Sequence, residues 1–491
     1  ECTVNIQGYA EITNNVFGAG QGVGAADYNY DSSFQHMGMN GWEDLSEADY
    51  LTFLQTLALT TDTDVNIGGN AKVKKSVYGG SENGFVQFDT DVSIQGSCEI
   101  GVSGTTSEGN VYGGGRGISG NTIAGPVSGN SIVTISGGTT YGSVYGGGAY
   151  GVVKENVTVN VTGGEVKKDV YGGGALANTN TDNWDATANS GAGGWATGMY
   201  TAATTTTPAY TNYKTVVNVL GGIIGTTETD ANGNLVNGRV FGGGLGDANT
   251  PAYVYGDVKV NLNGLEASDY VAAAHSNYVQ AVASSGTSTT DHYELKTTTT
   301  GEAPNTTTTY ATGAIVNSVF AANNLNGTPK GNATLNAFAI QNRDGEHNKI
   351  NQKYPIPSET NNVTASVYDV KAVYGGGNLA NYVPVYDQST GVTAFKTQVI
   401  IEGCSLTSIE TVYGGGNAAA VPETNVTVKS TYEIGYVFGG GDGHGAGNPG
   451  ADVGTPDHGT TTYGSGNANT LLEGGVIHEV YGGSNQKGII K

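Results

Sequence analysis

The sequence predicts an all-β fold: a single-stranded, right-handed parallel β-helix (β-solenoid) of about eleven coils, with long loop insertions and one short helix. Three observations predict it: an excess of glycine, a recurring Val-Tyr-Gly-Gly-Gly signature, and a short β-rich run before each signature. The chain has 491 residues, of which 81 are glycine, whereas average usage of about 7% would give about 34. The glycines follow no Gly-X-Y period, which excludes collagen. Only 11 residues are proline, which argues against a disordered Pro/Gly linker protein.

The signature is a valine, then Tyr or Phe, then glycines. Two copies are degenerate, because Phe17 is followed by Gly-Ala-Gly and Phe320 by Ala-Ala-Asn. We expect the valine to face the core, and the aromatic ring to face outward or to cover the next corner. Rings of successive coils would then form a stacked stripe. The eleven pairs are Val16-Phe17, Val77-Tyr78, Val111-Tyr112, Val144-Tyr145, Val170-Tyr171, Val240-Phe241, Val319-Phe320, Val373-Tyr374, Val412-Tyr413, Val437-Phe438 and Val480-Tyr481.

The spacing between signatures favours coils over propeller blades. It is 26 residues from Val144 to Val170 and 25 from Val412 to Val437, and elsewhere it rises to 79. A propeller blade needs about 40–45 residues and four strands. A minimum near 25 with variable additions is typical of a solenoid, whose coils have a fixed circumference and whose corners extend into loops. The crossover preference of parallel strands predicts a right-handed coil.

The run before each signature indicates a half-buried strand, because Val, Ile and Thr alternate in it with period two. Residues 131–135 and 157–161 are examples, and each is followed by a Gly-Gly pair. Glycine suits corners that need positive φ, and stacked backbones about 4.8 Å apart leave little room for a Cβ atom. Asparagine follows three signatures, at Asn378, Asn417 and Asn485, and can form amide ladders between coils.

The whole chain, 1–491, is predicted to be one β-solenoid domain, because a solenoid grows without widening its core. The strand and corner patterns are interrupted by longer segments, and loops on a rigid scaffold commonly carry function. The insertions are expected at about 25–63, 175–213, 265–315, 340–364 and 442–468.

The first insertion contains the helix signal. Ser46 is placed as the N-cap, with Asp49 at the third helical position, which is the pattern of a capping box. Leu51, Leu54 and Ala58 are expected to form the apolar face of this helix.

Composition and charge exclude several classes of function. The net charge of −23 repels nucleic acid and anionic lipid surfaces. The scarcity of basic residues argues against a strongly acidic polysaccharide as ligand, since its recognition usually recruits Arg and Lys. The sequence has no run of 18 apolar residues, so no membrane span is predicted. Three cysteines, Cys2, Cys98 and Cys404, give no disulfide framework and do not decide the compartment.

The last insertion holds the densest set of candidate metal ligands. Aspartate and histidine together suit a transition metal, whereas aspartate with backbone carbonyls suits a divalent cation such as calcium. The spacing matches no tight motif, and the alternative is a solvated polar loop. The candidate ligands are Asp442, His444, Asp452, Asp457 and His458.

Tryptophans in the insertions are the candidate ligand-binding residues. Trp42, Trp184 and Trp195 would contact a glycan through their rings, and the alternative is a local mini-core. Glycoside hydrolysis would need a pair of carboxylates on one face. Among 43 acidic residues no pair stands out, and no catalytic residue is assigned.

With its repeats laid out, the chain resembles the large β-helical surface proteins of bacteria, including adhesins and autotransporter-like passengers. It is particularly similar to repetitive Val-Tyr-Gly-Gly-Gly proteins of gut anaerobes. The resemblance extends over essentially the whole chain through its eleven signatures. It implies secretion, attachment or surface-layer roles, and it supplies no catalytic motif that maps onto residues of this chain.

The first hypothesis is therefore an extracellular or cell-surface bacterial protein, an adhesin or structural filament component without catalytic activity. A glycan or a surface protein would be its partner, and both ends look cut, so coils are expected to continue into other domains or to stack end to end. One alternative is a carbohydrate-active β-helix enzyme, a glycoside hydrolase or polysaccharide lyase, in which residues 175–213, 265–315 and 442–468 converge on paired carboxylates. Another is a neutral-glycan-binding module that uses the loop tryptophans.

Overall fold

A computed structural model confirms the parallel β-helix, with long parallel sheets of stacked strands. We number the coils one to eleven along the chain. No helix among the described residues has the length and apolar character needed to cross a membrane. The structure describes residues 1–30, 46–104, 108–188, 193–226, 236–272, 278–282, 289–295, 298–300, 307–309, 313–338, 368, 370–385, 395–403, 407–445, 447–454 and 466–491.

Sheet A contains one strand from each coil, paired in chain order. The alternating β-rich runs form these strands, and every second side chain faces the core, as in Thr63–Ile67. Its strands are Cys2–Ile6, Thr63–Ile67, Thr90–Ile94, Ser131–Ile135, Val157–Val166, Lys214–Ile224, Asp257–Leu262, Ala333–Ala337, Thr397–Glu402, Thr424–Ser430 and Ala468–Leu472, with the short strands Glu11–Ile12, Lys72–Val73, Glu99–Ile100 and Thr139–Thr140 alongside.

Sheet B contains the signatures. Each signature valine pairs with the valine of the next coil and each aromatic with the next aromatic, as at Val144↔Val170 and Tyr145↔Tyr171. Its strands are Val16–Phe17, Val77–Tyr78, Val111–Tyr112, Val144–Tyr145, Val170–Tyr171, Arg239–Phe241, Ser318–Phe320, Val370–Tyr374, Ser408–Tyr413, Glu433–Phe438 and Ile477–Tyr481.

A third, narrower face closes each coil through single-residue parallel bridges. They link Thr60, Val86, Val127, Val153, Thr179, Val254 and Pro329 in the first seven coils, and Val421, Val453 and Ile490 in the last three. The core lies between the three faces and is filled by inward Val, Ile, Leu and Ala side chains, together with the buried Cys98. The core is therefore one continuous column along the rod.

The aromatic residues of sheet B form a second cluster, separate from this core, which places their rings on the outer face of the sheet. Eleven rings stack without interruption from Phe17 to Tyr481, with centroids 4.4 to 5.2 Å apart and planes within 2 to 13°. The predicted stripe is confirmed. From coil two to coil ten the rings are at most 7% exposed, because each ring covers the next.

The middle glycine of the Gly-Gly-Gly corner that follows a ring is explained by the close approach of the next coil. A Cβ atom added at Gly147 would lie 2.8 Å from the backbone nitrogen of Gly174 in the next coil. The Gly-Gly corner after sheet A has a different reason, since Gly164 has a φ of +73°, which glycine adopts without strain. In coil seven Ala322 takes the place that Gly147 has in coil four, and it is buried.

The first insertion contains the predicted helix, Glu47–Leu54, after a 3₁₀ turn at Ala25–Tyr28. Ser46 is its N-cap and accepts a hydrogen bond from the Asp49 amide (3.2 Å), as predicted. The expected apolar face is confirmed at Leu54, which is buried, and at Leu51, which packs against the same cluster, and Tyr50 is a further buried residue of the helix. The helix ends at Leu54, so Ala58 lies beyond it, is exposed, and has a positive φ of 50°.

Two of the other insertions contain antiparallel β-structure, whereas the described residues of 442–468 contain only the parallel bridge at Val453 and the start of the parallel strand Ala468–Leu472. Residues 175–213 form a 3₁₀ turn and two short hairpins, and residues 265–315 form a three-stranded and a two-stranded sheet. The insertion predicted at 340–364 lies outside the described residues. These elements are Thr181–Asn183, Trp184–Asp185, Gly194–Trp195, Tyr200–Thr201, Tyr210–Thr211, Gly264–Glu266, Tyr278–Val282, Thr289–Leu295, Thr298–Thr300 and Thr307–Thr309.

Candidate functional site

Two of the three predicted tryptophans meet in one aromatic cluster. Trp184 and Trp195 pair across a hairpin, with ring centroids 5.5 Å apart in an edge-to-face arrangement. Trp184 also stacks on Tyr255 (5.1 Å), and Trp195 stacks on Tyr200 (5.6 Å). Both indole rings are partly buried by these neighbours, which fits the mini-core that was the alternative to a glycan contact. Trp42 lies outside the described residues.

A lysine completes this cluster. The Lys330 ammonium lies 4.9 Å from the Tyr253 ring centroid and 6.0 Å from that of Trp184, within the range of a cation–π interaction. Burial lowers the pKa of Lys330 to about 8, because the rings remove water from the charged form. No pattern in the sequence points to this lysine, since Trp184 and Lys330 are brought together only by the stacking of coils five to seven.

The predicted metal ligands that the structure describes do not come together as a set. Asp442 is buried against sheet B, whereas His444 is exposed. Asp452 accepts a hydrogen bond from the Ile489 amide (2.9 Å) and pairs with Lys491 (3.1 Å). No group of three His, Cys, Asp or Glu side chains in the described part of the chain could hold a metal ion. Asp457 and His458 lie outside the described residues.

A groove of about 900 Å³ runs along the outer face of sheet B over coils six to eleven. The sequence reasoning did not predict it. The groove is lined mainly by the edges of the stacked rings and by polar side chains. The lining residues are Arg239, Asn317, Ser318, Phe320, Lys371, Ala372, Tyr374, Asn378, Glu410, Thr411, Tyr413, Asn417, Tyr436, Phe438, Asp442, His444, Tyr481, Asn485 and Gln486.

One sequence signal could have located this groove. In coils four to six the residue that follows the three-residue corner is apolar, and it packs against the rings: Ala149, Ala175 and Leu245. In coils seven to eleven the same position holds an amide or a carboxylate: Asn324, Asn378, Asn417, Asp442 and Asn485. The covering of the rings therefore changes from apolar to polar within the stretch of coils, six to eleven, along which the groove runs.

These polar side chains hydrogen-bond to tyrosine hydroxyls two coils earlier. Asn324 donates to the Tyr171 hydroxyl (2.7 Å), and Asn485 donates to that of Tyr413 (3.4 Å). The Tyr374 hydroxyl donates to Asp442 Oδ2 (3.3 Å). Each of these phenol groups therefore reaches past the neighbouring coil.

The amides also bond to one another along the rod axis. Asn417 donates to Asn378 Oδ1 (2.8 Å), and Asn378 donates to Asn324 Oδ1 (2.8 Å). In the last two coils Asn485 donates to Asp442 Oδ1 (2.9 Å). The predicted amide ladder is confirmed, and it holds each of these side chains in a fixed orientation.

The N-terminal end of the groove is marked by a buried ion pair. Arg239 donates to both carboxylate oxygens of Asp169, through Nε (3.2 Å) and Nη2 (2.6 Å), and lies 5.6 Å from the Phe241 ring centroid. Although burial opposes the charged form, the pKa of Arg239 lies above its ordinary value because of Asp169. The guanidinium is thus neutralised within the rod.

Two carboxylates face outward together elsewhere, on sheet A. Asp64 and Asp91 are in register on adjacent coils, and the pKa of Asp91 is raised by burial first and by Asp64 second. They lie in regular strands, away from the three insertions that the enzyme hypothesis requires to converge. Parts of each of those insertions lie outside the described residues.

Comparisons with family models, curated proteins and solved structures gave no match for this chain. The function is therefore argued from the geometry of the rod. The groove on sheet B holds amides, phenols and the Asp442 carboxylate in fixed orientations, and these groups repeat at the spacing of the coils. Such a surface suits binding, because its polar groups are oriented before any ligand arrives.

Proposed function

We propose that this chain is a non-catalytic structural component of the bacterial cell surface, a rod that assembles end to end into a filament. Eleven coils at about 4.8 Å per coil correspond to a rod of about 50 Å. The continuous core column and ring stack support a stiff scaffold. The net charge of −23 supports an exposed, highly soluble surface, and the resemblance to bacterial surface proteins supports the location.

The observation that carries the proposal is the uniform pairing of each coil on the next. Eleven rings stack from Phe17 to Tyr481 with centroids 4.4 to 5.2 Å apart, and the signature valines of coils two to ten are fully buried. Strands that pair in this way are templates for a further strand.

In such a filament the coils of two copies would pair as the coils within the rod do. The strand Cys2–Ile6 of one copy would extend sheet A beyond Ala468–Leu472 of the other, and Phe17 would stack on Tyr481. Because the two joined surfaces differ, the contact is head-to-tail and generates an open filament.

Negative-stain electron microscopy and sedimentation velocity across a concentration series test this proposal. We expect fibres whose length grows with concentration, and we expect Tyr481→Lys, which puts a charge in the joint, to give single rods. Ile132→Lys is the matched control, because Ile132 is 37% exposed but lies in coil four, on the side of the rod. Single rods of the unchanged protein at every concentration, or fibres that survive Tyr481→Lys, would overturn the proposal.

A further inference from the structure

We propose that the groove on the outer face of sheet B binds a linear neutral oligosaccharide. This inference goes beyond the structural role and does not depend on it, because the groove runs along the side of the rod.

The first argument is the fixed orientation of the polar groups. The Nδ2 atom of Asn417 is held by Asn378, and that of Asn485 is held by Asp442 and Tyr413. Each of these two amide groups retains an Oδ1 acceptor, and Asn417 also retains one N–H donor beyond its bond to Asn378. Sugar hydroxyls both donate and accept hydrogen bonds, so they match groups of this kind.

The second argument is the repeat. From Asn378 to Asn485 one amide or carboxylate that lines the groove occurs in each coil, at the coil spacing of about 4.8 Å. This spacing is comparable to the length of one sugar ring, so successive units of a linear glycan would meet equivalent partners. A ligand that spans coils eight to eleven would extend over about 14 Å.

The third argument is the aromatic surface. Phe320, Tyr374, Tyr413 and Phe438 are among the residues that line the groove. The C–H groups of a sugar ring pack against an apolar aromatic surface of this kind. Ring edges and hydroxyls of Tyr374 and Tyr413 line the groove between the amides.

Charge favours a neutral glycan over an acidic one. The groove contains the carboxylates of Asp442 and Glu410 and the cations of Arg239 and Lys371. Arg239 is already paired with Asp169 in a two-bond contact. An acidic sugar would therefore be repelled by these two carboxylates, and no second arginine among the lining residues offsets that repulsion.

Isothermal titration calorimetry with the full chain tests the inference, using cellohexaose, mannohexaose and hexagalacturonate as probes. We expect at least one neutral hexaose to bind and hexagalacturonate not to bind. Asn417→Leu, which keeps the side-chain size and removes the amide, should weaken binding about tenfold, as expected for about one lost hydrogen bond. Asn425→Leu, on sheet A, is the matched control and should bind as the unchanged protein does.

A second variant distinguishes a loss of binding from a folding defect in Asn417→Leu. Gln486 lines the groove and is exposed, so Gln486→Ala should leave the urea midpoint unchanged and still weaken the neutral hexaose. The inference is overturned if no neutral hexaose binds, if only hexagalacturonate binds, or if both groove variants bind normally. Because Asn417 and Gln486 are tested by calorimetry and the end contact by microscopy, either proposal can fail alone.

Discussion

Asp257 provides a direct test of how the stacked coils affect a buried charge. Asp257 begins the sheet A strand of coil seven, and its Oδ1 accepts a hydrogen bond from the Asn332 amide (2.7 Å). Burial raises the pKa of Asp257 from 3.8 to about 6, although hydrogen bonds from Asn332 and Thr211 oppose the rise. The perturbation is Asp257→Asn, which keeps an oxygen for Asn332 and removes the charge.

The sign follows from the direction of the pKa change. Because the folded state holds the proton more tightly than the unfolded state, this carboxyl group is most favourable below pH 3.8 and loses that stabilisation as pH rises to about 6. A rise of about two pKa units corresponds to about 3 kcal/mol. Asparagine does not titrate, so Asp257→Asn should become more stable than the unchanged protein by up to that amount above pH 6.

Urea unfolding at pH 4, 5, 6 and 7.5 measures this difference. The midpoint of Asp257→Asn should exceed that of the unchanged protein at pH 7.5, and the gap should shrink toward pH 4. Asp89→Asn removes an exposed carboxylate and controls for the change in net charge. A gap that is absent at pH 7.5, or equally large at pH 4, would refute the argument from burial.

Three further predictions concern the ring stack, its ion pair and the aromatic cluster. Asp169→Ala leaves the partly buried Arg239 guanidinium without its partner and should cost up to about 3–5 kcal/mol; a thermal midpoint equal to that of the unchanged protein would argue against this. Phe241→Ala removes a fully buried ring between Tyr171 and Phe320 and should cost about 3–5 kcal/mol, measured by urea unfolding with the milder Phe241→Leu as comparison. Lys330 has a pKa of about 8, so more of it is neutral at pH 7.5 and it should be acylated before Lys154. Equal labelling of the two lysines by mass spectrometry would contradict the desolvated environment of Lys330.

The repeat could be predicted because it depends on local features. The spacing from Val144 to Val170 sets the size of a coil, and alternation within residues 131–135 sets which side chains face inward. Ser46 could be placed as a helix cap because capping involves neighbouring residues only. The end of that helix and its buried residues were harder to predict, because packing against the rod determines that Tyr50 and Leu54 are buried.

The lysine cluster could not be predicted, and the groove could be predicted only in part, because both depend on contacts between distant coils. Asn324 and Tyr171 are 153 residues apart, and their bond follows from rings that reach two coils along the rod. That reach is set by how the rings pack, which no local pattern contains. The change from Ala175 to Asn378 was visible in the sequence, but its meaning required the outer position of the rings.

The three ladders of the solenoid also determine how it would respond to mechanical tension. Their hydrogen bonds run along the rod axis, so a pull on the two ends loads the coils in series, and the rod would unravel one coil at a time. Each step would release as much chain as that coil and its insertion contain, from 25 residues at the shortest spacing to 79 at the longest. The insertions would thus provide extra chain of unequal length, which would let a stiff rod lengthen stepwise before it breaks.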